Sequence, residues 1–121
     1  MHTLVDYAVL QSGQFAIQPD AHRRFQINFL PDDFVKGTNF AKPLLSYVCA
    51  THSESRLIIE TQSSLVVDLT IRGDTLEWRS MHHTIDGNAF DGPFSPFLQI
   101  SVEGDSQVHF RDVILWYQRR T

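Results

Sequence analysis

The sequence predicts an all-β protein, an antiparallel two-sheet β-sandwich of jelly-roll type with about eight strands. Three observations point there. Apolar residues recur at every second position through most of the chain, helical periodicity is scarce, and Gly, Pro, Asn and Asp interrupt the runs at short intervals. Many short strands with frequent turns are the pattern of a sandwich or barrel. A length of 121 residues, with 42% hydrophobic and 20% charged residues, suffices for one self-folding domain spanning 1–121.

Taken in order, residues 3 to 10 and 14 to 18 are the first candidate strands. In "RFQINFL", Phe25, Ile27 and Phe29 share one face while Arg24, Gln26 and Asn28 share the other, the signature of a half-buried strand. Candidates follow at 44 to 50 ("LLSYVCA") and 56 to 61 ("RLIIET"). "LVVDLTI" again alternates cleanly, with Leu65, Val67, Leu69 and Ile71 on one side, and 75 to 79 ("TLEWR") is a weaker run. "FLQISVE" sets Leu98, Ile100 and Val102 against Gln99, Ser101 and Glu103. "IRGDTLEW" and "VEGDSQVHF" each read as a hairpin turned through Gly-Asp. The stretches 31 to 43 and 86 to 97 are longer and less regular. The second places Phe90, Phe94 and Phe97 among two Pro and two Gly, which makes it a stiff apolar loop.

The last run, "VHFRDVILWYQRR", changes parity. Val108 and Phe110 lie on one face, then Val113, Leu115 and Tyr117 take up that role one residue out of step, so Arg111-Asp112 is predicted to be a β-bulge. Past it, Ile114 and Trp116 fill the opposite face. A second apolar row calls for a cover: the Phe-rich loop, the N-terminal segment, or another subunit of a homo-oligomer. Ile114 and Trp116 are therefore the predicted interface residues.

This terminal segment, "FLQISVEGDSQVHFRDVILWYQ", with "LEWRSMHHTIDGNAFDG" before it, resembles the closing strands of galactose-binding-like β-sandwiches and related carbohydrate-binding modules. The resemblance covers about the last third of the chain. It implies a jelly roll and a carbohydrate or other small ligand as partner, and it supplies no ligand-binding motif.

The chemistry in the residues is sparse. A net charge of −4 with Lys and Arg scattered singly argues against nucleic acid, and no apolar stretch is long enough for a membrane helix. The single cysteine, Cys49, excludes an intramolecular disulfide. With no basic leader ahead of the first apolar stretch, a reduced, cytoplasmic setting is the expectation. Cys49 shares the parity of Leu45 and Tyr47 and reads as a small buried hydrophobe. His82 and His83 are neighbours on a strand and point to opposite faces, and the Asp86, Asn88, Asp91 spacing matches neither a calcium loop nor a zinc site, so no metal or cofactor is predicted. Nucleophile elbows, phosphate loops and H-E-x-x-H are missing, so the expected protein is not an enzyme. A sugar site needs a flat ring beside polar groups. Trp116 and Tyr117 are the predicted rings, with His83, Asp86, Asn88 and Asp91 supplying hydrogen bonds, whereas Trp78, sharing a face with Leu76, reads as a core wedge. The competing expectation is a structural subunit that self-associates through the outer row of the last strand.

Overall fold

A computed structural model describes residues 3–31, 33–37, 42–73, 76–92 and 95–120. Nine strands are found among the described residues: β1 (Thr3–Gln11), β2 (Phe15–Ile17), β3 (Ala21–Gln26), β4 (Leu44–Thr51), β5 (Ser55–Thr61), β6 (Leu65–Ile71), β7 (Arg79–Thr84), β8 (Phe97–Gly104) and β9 (Val108–Arg120). Sheet A runs β1-β9-β4-β7, with the short β2 also pairing β9, and sheet B runs β3-β8-β5-β6. All pairings are antiparallel. Setting β2 aside, this is the order of an eight-strand jelly roll, as the sequence predicts.

Alternation builds the interior. Leu57 and Ile59 of β5, with Leu98, Ile100 and Val102 of β8, meet Leu45, Tyr47 and Cys49 of β4 and Val108, Phe110, Val113 and Leu115 of β9; all are buried. The bulge falls where the parity slip places it. Ser46 pairs Ile114 but Val48 pairs Arg111, so β9 carries one extra residue, and Asp112 absorbs it at φ 53. Asp is among the residues that tolerate this left-handed geometry best.

The two expected hairpins are not hairpins. Among the described residues, β5 and β6 are the one pair of consecutive strands that pair with each other. The Gly-Asp turn after β8 carries the chain from sheet B over to β9 in sheet A, and the hydroxyls of Ser55 and Thr51 tie it down by donating to the carbonyls of Ser106 and Gln107 at 3.0 and 3.3 Å. The segment after β6 also crosses between sheets, and β7 begins only at Arg79, so 76–78 is not strand; Asp74 and Thr75 lie outside the described residues. Trp78 consequently misses the core. It sits half-buried beneath the Arg111 guanidinium, 4.5 Å from the ring centroid, and Leu76 is exposed.

Residues 86–90 close one end of the sandwich. Asp86 accepts from the Asn88 amide and starts a 3₁₀ turn, Gly87–Phe90, whose Ala89 and Phe90 enter the core. Pro93 and Phe94 lie outside the described residues.

Candidate functional site

The register of sheet A decides which side chains share its outer face. Val5, Tyr7 and Val9 of β1 lie beside Gln118, Trp116 and Ile114 of β9; Leu44, Ser46 and Val48 of β4 follow, then Thr84, His82 and Ser80 of β7. The face is apolar toward β1 and polar toward β7. An open groove of about 540 Å³ runs along it, walled by Leu44, Ser46, Val48, Ser80, His82, Asp112, Ile114 and Trp116. No described residue of the Phe-rich loop lines this groove, and the N-terminal strand does not cross it; β1 instead extends the sheet sideways. Ile114 and Trp116 are thus half-covered by their neighbours within the sheet.

Trp116 is fixed from two sides. Its Nε1–H donates to Ser46 Oγ at 2.9 Å, and the Tyr7 ring stands beside it with centroids 5.1 Å apart and planes tilted by 39°. These contacts hold the indole in place while part of it stays exposed to solvent. Sheet B presents the opposite chemistry outward: Arg56 bridges Asp68 and Glu103 at 2.8 and 3.0 Å, and Arg24, Gln99 and Glu60 form a hydrogen-bonded row. These polar groups are engaged with one another.

The other sequence-predicted ligand residues do not join Trp116. Tyr117 points inward, 7% exposed, between Phe29 and Phe34. His83 also faces inward on β7, since it pairs with the buried Leu45. Asp86, Asn88 and Asp91 lie in the turn at the end of the sandwich. Asp86 is spent as a cap, and Asp91 takes the Lys36 ammonium at 2.6 Å. The grouping fails because neighbours in sequence alternate between faces of a strand, and because the 86–91 turn belongs to the sandwich end. The reading of the sequence also missed Tyr7, whose signal was apolar residues in both parities of "LVDYAVLQ".

Buried titratable groups of sheet A are set for stability. The Tyr47 hydroxyl and His83 Nε2 lie 2.7 Å apart. Burial, with Cys49 beside it, raises the phenol pKa, while burial and the neighbouring His82 lower that of the imidazole. The phenol therefore keeps its proton and shares a hydrogen bond with the imidazole. Burial likewise pushes the Cys49 thiol up to about 11 against the opposing pull of Arg79, so it carries no thiolate at neutral pH. A folded-state His83 pKa below the ordinary 6.5 means that the unfolded chain takes up its proton first on acidification. Stability is full above 6.5 and falls as pH drops from there toward the lower folded value. Urea denaturation of the native chain at several pH values between about 7.5 and 5 should show this loss, and His83→Gln should flatten it.

No protein-family model matches the sequence, and no curated protein does. Solved structures do resemble it. A family 29 carbohydrate binding module complexed with cellulohexaose superposes with a TM-score of 0.55 at 14% identity, over 94% of this chain and 91% of that one. A second family 29 structure gives 0.55 at 13% identity over 95% and 92%, and a third gives 0.53 at 13% over 95% and 86%. The fold is that of a carbohydrate-binding-module β-sandwich. The superposition spans most of both chains, well beyond the closing strands. Among the described residues, the outer face of sheet A combines an aromatic pair, an open groove and polar side chains.

Proposed function

We propose that this chain is a non-catalytic carbohydrate-binding module that holds a sugar chain against the outer face of sheet A. The observation that carries the reading is the Tyr7–Trp116 pair, braced by Ser46 beside an open groove. A pyranose has an apolar face of axial C–H groups and a rim of hydroxyls. The indole suits the first by stacking, and His82, Ser80, Thr84, Gln118 and Asp112 around it suit the second. The fold likeness supports the same reading, since a neighbour of this architecture was solved with cellulohexaose. The non-catalytic part of the reading is supported by the likeness to binding modules.

The test is retention on a glycan array and on immobilised cellulohexaose. The native chain should be retained and the eluted oligosaccharide recovered uncleaved. Trp116→Ala should weaken binding by about 2 kcal/mol, roughly thirty-fold, as loss of an aromatic anchor does. Its mass in light scattering should stay that of the native chain. A native chain retained by no sugar on the array overturns the reading.

A further inference from the structure

The first strand carries an apolar load that the sandwich does not use. Of the six large hydrophobic side chains exposed among the described residues, four (Leu4, Val5, Tyr7 and Val9) belong to β1. Val5, Tyr7 and Val9 are 63%, 56% and 49% exposed and form one row. Their strand is the outermost of sheet A, nine residues long, and its side away from β9 carries no partner strand among the described residues. The Tyr7 amide donates to the Asp6 carboxylate of its own strand at 2.8 Å. Long edges of this kind are templates for pairing unless charge, proline or a bulge protects them.

The three other sheet edges lack such an apolar row and carry charge: Arg79 on β7, Arg23 and Arg24 on β3, and Asp68 at the centre of β6. Two copies of β3 or of β6, paired antiparallel about the strand's middle, would bring Arg23 against Arg24 or Asp68 against Asp68. β1 has the single charge Asp6. Antiparallel pairing about a two-fold axis at Tyr7 sets Asp6 opposite Ala8 of the partner subunit, Val5 opposite Val9 of the partner subunit, and Leu4 opposite Leu10 of the partner subunit. No like charges meet, and every exposed apolar group of the row gains an apolar neighbour. We infer that β1 is a self-association site through which two copies of this chain pair edge to edge, joining their A sheets into one continuous sheet. Such a two-fold contact is closed and stops at the dimer. Where the outer face binds sugar as proposed above, the dimer also sets two Tyr7–Trp116 platforms on one surface, so a long polysaccharide engages both with the gain of a second, intramolecular contact.

The experiment reads mass, without sugar present, by light scattering or sedimentation. The native chain should have the mass of two copies. Val5→Glu with Val9→Glu puts like charges at both Val5–Val9 contacts and should halve the mass; Val5→Lys with Val9→Glu puts opposite charges at the same contacts and should restore the dimer. The two sites lie about 13 Å apart within one strand and both are exposed, so circular dichroism should show each variant folded. A native chain that stays monomeric, a double-glutamate variant that stays dimeric, or two charged variants that are both monomeric each overturn the proposal. Because these masses are taken without ligand, failure of the sugar reading leaves them unchanged.

Discussion

Phe110→Ala should lower stability by about 3–5 kcal/mol, which for a domain of this size is a fall of roughly 10–20 °C in melting temperature. Phe110 has no exposed surface, and it lies at the crossing of three strands: β9 itself, β2 through the Phe15–Phe110 pair, and β4 through Cys49. Its ring stacks on Phe15 at 5.4 Å and touches Tyr47 at 5.9 Å. Truncation leaves both rings without a wall. The cavity cannot collapse easily, because the backbone on either side is held in ladder hydrogen bonds by β2 and β4. Leu65→Ala is the control. Leu65 has the same parity as buried residues of β6, yet it is largely exposed, so its loss should change stability by no more than about 0.5 kcal/mol. Differential scanning calorimetry of the two variants separates these outcomes.

That contrast marks what a sequence of this kind conveys. The alternation of "LVVDLTI" located β6 at its observed bounds, and the parity slip at Arg111-Asp112 located a bulge, because both are local properties of a pleated backbone. Which sheet receives the next strand is not local. A Gly-Asp turn reverses the chain equally well within one sheet or from one sheet to the other, so "VEGDSQVHF" could be read as a hairpin although Ser55 and Thr51, fifty residues earlier, hold it as a crossing. The same limit applies to Trp78, whose place depends on Arg111 from the last strand. Of the candidate site, Trp116 was legible because an apolar residue on the second face of a strand has to be accounted for. Its brace, Ser46, and its companion, Tyr7, come from strands 70 and more than 100 positions away, and only the register joins them.

The same dependence on distant partners makes Gly87→Ala the second large effect. Gly87 opens the 3₁₀ turn that caps the sandwich, and its amide donates to the Lys36 carbonyl at 2.9 Å. A Cβ placed there would lie 2.2 Å from that oxygen, 2.3 Å from the Lys36 Cα and 2.6 Å from its carbonyl carbon. These are backbone atoms and cannot swing aside as a side chain would. The 33–37 segment would have to move, and it is bound to the end of β9 through Val35 N to Gln118 O at 2.8 Å and Arg120 N to Asp33 O at 3.0 Å. Relief would instead come from expelling the turn, which unseats Ala89 and Phe90 from the core and frees the Ala89 carbonyl from the Thr61 and Ser63 hydroxyls. Either route costs more than about 3 kcal/mol, the range of overpacking combined with loss of a buried aromatic. Gly13→Ala meets nothing within 4 Å and should be near neutral. Equilibrium urea denaturation should therefore show a large drop in midpoint for Gly87→Ala and none for Gly13→Ala. Equal midpoints for the two would mean that the 33–37 segment yields freely, contradicting its hydrogen bonds to β9.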